Sequence, residues 1–216
     1  ISCTRVKDEE FLDQCKTIMK KYKINIYNFF CDMENEEHVL TTANEIANKF
    51  EKIDILVNNA GSNLTSLIQM TKADDLHKIF QINYFSIFLF TQIILKNMMR
   101  NKSGNIINIS SSAAYDVPIG RAVYSASKSA LEKFSKTLSK EFSAFNIRSN
   151  VIAPGLIETN MMKTSTDSKK LEEIIKKLPS KRVGKPEEIA ELALFLVLEK
   201  SNYINGQIVR ADGGLI

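Results

Sequence analysis

Tyr124 and Lys128 are the residues whose types and spacing first indicate chemistry. They lie four residues apart in a stretch of helical periodicity, so the phenol and the ammonium share one face of a helix. A cation beside a phenol stabilises the phenolate and lowers its pKa from about 10. A lone Y-x-x-x-K pair is as easily part of a solvated helix face. Ser111 supports the chemical interpretation, because it lies thirteen residues before Tyr124, at the end of an apolar strand.

The elements that must position these side chains alternate along the chain. Short β-branched apolar runs are separated by longer segments of helical period, without an internal repeat or a Pro/Gly-rich linker. The pattern predicts a single α/β domain over residues 1–216, a Rossmann-like doubly wound parallel sheet between two layers of helices. The predicted strands are Ile24–Phe30, Ile53–Val57, Asn105–Ile109, Arg148–Ile152 and Gln207–Arg210. The predicted helices are Glu9–Tyr22, Glu36–Phe50, Asp74–Met99, Ala122–Phe145, Lys169–Lys177 and Pro186–Leu198.

Polar residues follow several of these strands. In an open parallel sheet, ligands bind in the crevice outside the carboxyl ends of the strands. We therefore expect the polar clusters to meet at one edge of the sheet. They are Thr4-Arg5, Asp32-Met33, Asn58 to Gly61, Ser110 to Ser112 and Pro154-Gly155.

The order of these motifs resembles the short-chain dehydrogenase/reductase family over nearly the whole chain. The resemblance implies hydride transfer between a nicotinamide cofactor and a carbonyl or alcohol carbon. Several motifs in the right order are more specific than any one of them, and an unrelated doubly wound domain is the alternative. The matching features are N-N-A-G at Asn58 to Gly61, the helix residue Asn83, then Ser111, Tyr124 and Lys128, P-G-x-I-x-T at Pro154 to Thr159, and I-N-G-Q followed by D-G-G between Ile204 and Gly214.

By this resemblance the catalytic residues are Asn83, Ser111, Tyr124 and Lys128. Carbonyl reduction needs a proton at oxygen and a donor that polarises the oxygen, and the family gives these roles to Tyr124 and Ser111. Lys128 would bind the nicotinamide ribose and lower the pKa of Tyr124. Asn83 would anchor a water in a proton relay; otherwise it is a polar residue on a buried helix. The two serines beside Ser111 are expected to be turn hydroxyls.

NADP(H) is the cofactor that the resemblance favours, with NAD(H) as the alternative. Arg5 stands where NAD-dependent members carry an acid, so it would meet the 2′-phosphate of NADP(H); a simple surface charge is the other interpretation. Asp32 and Met33 would contact adenine. The spacing of His, Cys and acidic residues predicts no metal site. The cofactor-binding residues implied by the resemblance are Arg5, Asp32, Met33, Asn59, Ala60, Gly61, Tyr124, Lys128, Pro154, Gly155, Ile157 and Thr159.

The family holds the cofactor phosphates on a glycine-rich turn after its first strand, whereas no glycine precedes Gly61 here. We therefore expect a first strand, turn and helix of roughly 30 residues, the size of such a unit, to be missing. Whether they are missing from the protein or only from this sequence stays open.

The substrate is expected to be a small carbonyl or alcohol. Residues 156–181 correspond to the mobile substrate lid of the family, and Leu178 to Glu188 closely resembles bacterial 3-oxoacyl-acyl-carrier-protein reductases. Basic residues near the opening, Lys102 among them, would suit an acidic carrier protein. However, Phe145-Asn146 replaces the basic residue followed by glycine that is common in those reductases. The alternatives are a dehydrogenase or reductase of sugars, polyols or other small alcohols, and a non-catalytic scaffold.

Composition narrows the other classes of function. The net charge of +4 comes from scattered lysines, which does not favour nucleic-acid binding. Three cysteines without C-x-x-C spacing favour reduced thiols and a cytoplasmic location. The most apolar stretch, Ile79 to Leu95, is interrupted by polar residues, so no membrane span is predicted. A homotetramer or dimer is expected through the predicted helices Asp74–Met99 and Ala122–Phe145.

Overall fold

The computed structural model describes residues 1–5, 8–165 and 168–215, and its strands pair in parallel. β1 (Ser2–Thr4) and β2 (Asn28–Phe30) form a two-stranded sheet. A four-stranded sheet in the order β3-β4-β5-β6 is formed by β3 (Ile55–Asn58), β4 (Gly104–Ile109), β5 (Ile147–Pro154) and β6 (Ile208–Ala211).

Helices connect the successive strands, as the alternating sequence pattern predicts. α1 (Glu9–Tyr22) follows β1, and α2 (Glu36–Lys49) follows β2. A π-helical turn at Gln81–Phe85 joins α3 (Ala73–Phe80) to α4 (Ser86–Asn101) without a break. The remaining helices are α5 (Ala113–Asp116) and α6 (Ala122–Glu141) after β4, and α7 (Asn160–Ser165), α8 (Ser168–Lys177) and α9 (Pro186–Val197) after β5.

Two apolar layers lie on opposite faces of the four-stranded sheet. Ile106 packs with residues of α2, α4 and α6 on one face, whereas its neighbour Ile107 packs with Leu196 of α9 on the other. Successive side chains of a strand point to opposite faces, and both isoleucines are at most 1% exposed. The apolar run of β4 is thus explained by burial on both sides, and the predicted three-layer arrangement is confirmed.

The continuous helix from Ala73 to Asn101 has the length and mean hydropathy of a membrane-crossing helix. Of the most apolar 18-residue window of this helix, 56% is buried within the fold. Ile94 and Met98 are at most 1% exposed and belong to the layer beneath α2. The apolar character of this helix therefore serves the protein core.

Two predicted elements differ from the structure by more than two residues at one end. The strand predicted at Ile24–Phe30 begins only at Asn28, because its partner β1 is three residues long and its register starts at the pair Ser2 and Asn28. The helix predicted at Ala122–Phe145 ends at Glu141, and a 3-10 turn leads to Asn146 in a left-handed conformation, φ 56°. The short helices α5 and α7 were not predicted. Residues 166 and 167 of the predicted lid lie outside the described residues.

β1 and β3 each have one edge that pairs with no strand in the described part of the chain. A cavity of about 630 Å³ lies between them and is lined by Cys3 of β1 and by Ile55 and Val57 of β3. Both residues of β3 are 46% exposed. This cavity opens toward the carboxyl ends of the strands, where the predicted polar clusters lie.

Candidate active site

The end of β4 and one face of α6 form the centre of the site. Ser111 follows β4, and its side chain hydrogen-bonds that of Tyr124 on α6. The backbone N–H of Ala113 donates to Ser111 Oγ at 3.2 Å, which leaves the hydroxyl hydrogen free to point away from the turn. The predicted Ser111 and Tyr124 are therefore brought into direct contact.

The pKa of Tyr124 is raised above its ordinary value, mainly by burial, while the Ser111 hydrogen bond and the charge of Arg121 oppose the shift. We expected Lys128 to lower it. In the structure the Lys128 ammonium lies 6.0 Å from the centroid of the Tyr124 ring and donates to the Ile109 carbonyl at 2.8 Å. Burial of the phenol therefore outweighs the effect of the cation at this distance.

Lys128 is 4% exposed, and burial lowers its pKa from 10.5 to about 8. At neutral pH the side chain is still mostly an ammonium, because its pKa remains above 7. A Cβ at Gly61 would lie 3.2 Å from Lys128 Nζ. Glycine at this position therefore lets the loop after β3 pass directly beside the cation.

Asn83 lies in the π-helical turn and is fully buried. Its side chain accepts from the N–H of Ser62 at 2.8 Å and donates to the Ser62 carbonyl at 2.9 Å and to Ser127 Oγ at 3.0 Å. Both amide hydrogens are thereby used within the protein. The side chain holds the loop after β3 against α6, and π-helical turns are frequent at functional sites.

Six of the predicted cofactor-binding residues line the cavity between β1 and β3. Arg5 Nη1 lies 3.3 Å from Glu34 Oε1. The other carboxylate oxygen of Glu34 lies 3.0 Å from Lys78 Nζ. Asp32 Oδ1 accepts from the N–H of Glu34 at 3.1 Å. The guanidinium of Arg5 is thus already paired with an acid that sequence reasoning did not consider. The six lining residues are Arg5, Asp32, Met33, Asn59, Ala60 and Gly61.

Four other predicted cofactor-binding residues lie apart from that cavity, at the point where β5 leads into the predicted lid. They are Pro154, Gly155, Ile157 and Thr159. The N–H of Gly155 donates to the Ala211 carbonyl at 3.0 Å, and Ile157 bridges to Gly184. Thr159 Oγ1 accepts from the N–H of Met162 at 3.2 Å and so caps α7. These contacts fix the backbone where the predicted lid begins.

The cavity and the catalytic cluster together fit a dinucleotide at its two ends. Arg5 and Asp32 supply a cation and an acceptor among apolar side chains at the first end, and the Lys128 ammonium beside Gly61 lies at the second. Gly61 is the only glycine that lines this cavity among the described residues, and one glycine does not make the glycine-rich turn that binds phosphates.

Sequence reasoning missed Glu132. This residue is 5% exposed and accepts from Ser110 Oγ at 2.7 Å. Its position, four residues after Lys128, continues the spacing of Tyr124 and Lys128 and could have revealed it. Ser110 is thus a bonded member of a buried pair, although we expected a turn hydroxyl.

Comparison with known proteins agrees with this site. A family model described as "Enoyl-(Acyl carrier protein) reductase" matches residues 1–216. The chain belongs to the short-chain dehydrogenase/reductase family and is an NAD(P)-dependent oxidoreductase that interconverts CH–OH and C=O groups. The resemblance found in the sequence is thereby confirmed.

The similar proteins differ in the activity that their names state. The chain is 36% identical over 201 residues to the 3-oxoacyl-[acyl-carrier-protein] reductase FabG of Buchnera aphidicola subsp. Baizongia pistaciae, covering 93% of this chain and 82% of the relative. It is 39% identical over 185 residues to carbonyl reductase family member 4 of Xenopus laevis, covering 86% and 76%. A gluconate 5-dehydrogenase from Burkholderia cenocepacia, solved with NADP and tartrate, superposes with a TM-score of 0.89 at 27% identity, covering 99% of this chain and 84% of that one.

Proposed function

We propose that this protein is an NADP(H)-dependent reductase that converts a 3-oxoacyl thioester to its 3-hydroxy product. The observation that carries the proposal is the hydrogen-bonded pair of Ser111 and Tyr124 beside the buried ammonium of Lys128. Two hydroxyls that meet at one point can both donate to a carbonyl oxygen that enters between them. The bound nicotinamide would supply the hydride.

Proton transfer would come from Tyr124. Its raised pKa keeps the phenol protonated at neutral pH, which is the form needed to give a proton to a developing alkoxide. Ser111 would donate to the same oxygen and fix its position. Lys128 would hold the nicotinamide ribose, and its ammonium would favour the phenolate that remains after proton transfer.

NADP(H) is supported by Arg5 at the rim of the cavity between β1 and β3 and by the NADP in the structure of the gluconate 5-dehydrogenase. A guanidinium binds phosphate through paired hydrogen bonds. Arg5 would exchange Glu34 for the 2′-phosphate, and Asp32 and Met33 would face adenine.

An apolar rim beside the site supports an acyl substrate. The N–H of Ser66 donates to the Gly120 carbonyl at 2.8 Å, so the loops after β3 and β4 meet next to Arg121, whose guanidinium lies 5.9 Å from the Tyr124 ring centroid. A contiguous apolar patch on a protein surface marks a site of ligand or partner contact, and we infer that the apolar side chains of these loops form one. The rim consists of Leu67, Ile68, Met70, Val117 and Ile119, which are 43% to 88% exposed.

The acyl carrier protein is the finer part of the proposal. The sequence similarity to FabG supports it. Lys102, expected near the opening, instead ends α4 just before the amino end of β4, so it does not lie beside the opening of its own chain. Arg121 lies near Tyr124 at the start of α6, less deeply buried than Lys128, and would meet an acidic carrier.

The test is NADPH oxidation with acetoacetyl thioesters of acyl carrier protein and of coenzyme A, with a 5-keto sugar acid in parallel. Turnover of the thioesters supports the proposal, whereas turnover of the sugar acid alone overturns it in favour of a polyol dehydrogenase. Tyr124→Phe should abolish turnover and leave the Kd for NADPH nearly unchanged. Tyr22→Phe, at an exposed phenol on α1, is the matched control and should match the wild type. Absence of NADPH binding and of any carbonyl turnover would favour the scaffold alternative.

We also propose a homotetramer or dimer. Phe85 and Phe88, near the start of α4, are 44% and 37% exposed, and Phe88 packs 4.9 Å from Phe134 of α6. An aromatic surface shared by two helices suits burial against a second copy. Light scattering after size-exclusion chromatography measures the mass of the assembly. The cytoplasmic location and the absence of nucleic-acid binding stay predictions.

A further inference from the structure

Glu132 is a buried carboxylate that the proposed mechanism does not use. It lies on α6 and is 5% exposed. An acidic side chain almost never occupies such a position unless it is well partnered. Its partners therefore indicate what it does.

The partners of Glu132 belong to the segment that carries the catalytic serine. Ser110 Oγ donates to Glu132 Oε1 at 2.7 Å, and Tyr115 hydrogen-bonds to the same carboxylate. Partial burial and this carboxylate raise the pKa of Tyr115, so the phenol stays protonated and donates. Glu132 thus accepts two hydrogen bonds from either side of Ser111.

Three consecutive residues at the end of β4 are each bonded to one face of α6. The residues on α6 are spaced by four, which places them one above another along the helix. The links therefore form a ladder between the strand end and the helix, and Glu132 makes its third link, one turn beyond Lys128. The three pairs are Ser111 with Tyr124, Ile109 with Lys128 and Ser110 with Glu132.

We propose that Glu132 is a positioning residue of the active site, which fixes the hydroxyl of Ser111 relative to that of Tyr124 by holding Ser110 and Tyr115. It touches no reacting atom and acts through its two partners. The inference rests on the proposed function, because it assumes that Ser111 and Tyr124 act on one carbonyl oxygen.

The ladder also predicts that loss of one acceptor affects turnover more than binding. Ser111 is adjacent to Ser110, so a shift of Ser110 moves the Ser111 hydroxyl directly. A displacement of about 1 Å at a reacting group can reduce the rate roughly a hundredfold. Glu132, Ser110 and Tyr115 are not among the residues that line the cavity between β1 and β3, so we expect the affinity for NADPH to change little.

Two variants of Glu132 distinguish loss of the hydrogen-bond acceptor from loss of the negative charge. Glu132→Gln keeps an oxygen that accepts from Ser110, whereas Glu132→Leu has none at similar volume. Asn97→Leu is the control, because Asn97 is 1% exposed and bonds backbone groups of Phe50 and Ile53, remote from the site. The measurements are kcat, KM and the Kd for NADPH, with the active fraction determined by NADPH titration.

We expect Glu132→Leu to lower kcat roughly 10- to 100-fold, with KM and the Kd for NADPH within about threefold. Glu132→Gln should stay within about threefold of wild-type kcat, and Asn97→Leu should lose stability without losing kcat per active site. Ser110→Ala should resemble Glu132→Leu, and the double variant should be no slower than either, because the residues act as one unit. Equal kcat in Glu132→Leu and Asn97→Leu would overturn the proposal.

Hydrogen–deuterium exchange keeps the inference separate from the proposed function. Backbone amides of residues 110–116 should exchange faster in Glu132→Leu than in wild type, Glu132→Gln or Asn97→Leu. If the wild-type protein reduces no thioester but this exchange pattern appears, the proposed function fails and the positioning role stands. Unchanged exchange at 110–116 in Glu132→Leu overturns the positioning role whatever the activity.

Discussion

The buried ammonium of Lys128 should make stability and turnover depend on pH in opposite directions. Burial lowers its pKa from 10.5 to about 8 in the folded protein. Between these two values the unfolded chain binds more protons than the folded chain, so the free energy of unfolding rises with pH. Below that window the folded protein carries a desolvated cation, and this increment is absent. Turnover should fall above about pH 8 as the ammonium is lost.

The magnitude follows from the pKa difference. The interval from 10.5 to about 8 corresponds to about 3 kcal/mol, since each pKa unit is worth about 1.4 kcal/mol. Lys128→Met keeps an unbranched apolar stem and removes the titratable group. The free energy of unfolding of the wild type, relative to that of Lys128→Met, should therefore rise by about 3 kcal/mol between about pH 7 and about pH 11.

Urea unfolding followed by circular dichroism at several pH values measures this difference. Lys96→Met, at an exposed lysine of α4, is the matched control, and its difference from the wild type should be nearly independent of pH. A difference between wild type and Lys128→Met that stays constant across the range would refute the reasoning, because it would mean that burial does not shift the pKa of Lys128.

Three further predictions concern other contacts. Arg148→Met should lower the free energy of unfolding, measured in urea titrations, by about 2 to 4 kcal/mol. The reason is that the buried guanidinium donates to three backbone carbonyls at 2.8 to 3.1 Å. A loss below about 0.5 kcal/mol would contradict this. Glu34→Gln should tighten NADPH binding roughly threefold by releasing Arg5, with NADH binding unchanged in fluorescence titrations; equal changes for both cofactors would argue against a 2′-phosphate contact. Gly155→Ala should lower stability by about 2 kcal/mol, because its Cβ would lie 2.7 Å from the Asp212 backbone, and an unchanged midpoint of thermal unfolding would contradict that reason.

Much of the fold could be predicted from the sequence, because the strands of a buried parallel sheet appear in the sequence as short apolar runs. The strands at Gly104–Ile109 and Ile147–Pro154 carry the apolar runs Ile106-Ile107 and Val151 to Ala153, and these runs are buried. Helix α1 begins and ends as its periodicity predicts. The π-helical turn at Gln81–Phe85 leaves no such trace, because it contains no Gly or Pro and lies within the apolar stretch from Ile79 to Leu95.

The site was predictable where residues carry recognisable spacing and not where distant residues pair. Tyr124 and Ser111 meet as their spacing indicates. The pairing of Arg5 with Glu34 joins residues 29 positions apart, and nothing local signals it. The sequence could not predict whether the pKa of Tyr124 is raised or lowered. The shift depends on the burial of the phenol and on the distance between the phenol and the Lys128 ammonium, and both are known only from the structure.

The close approach of the loop after β3 to Lys128 has a consequence for the interpretation of variants at Gly61. This residue has no functional group, yet a Cβ there would lie 3.2 Å from the Lys128 ammonium. The loop or the ammonium would have to move to relieve so tight a contact. A substitution of Gly61 would therefore resemble a defect of Lys128 in a kinetic assay, although it alters no reacting group.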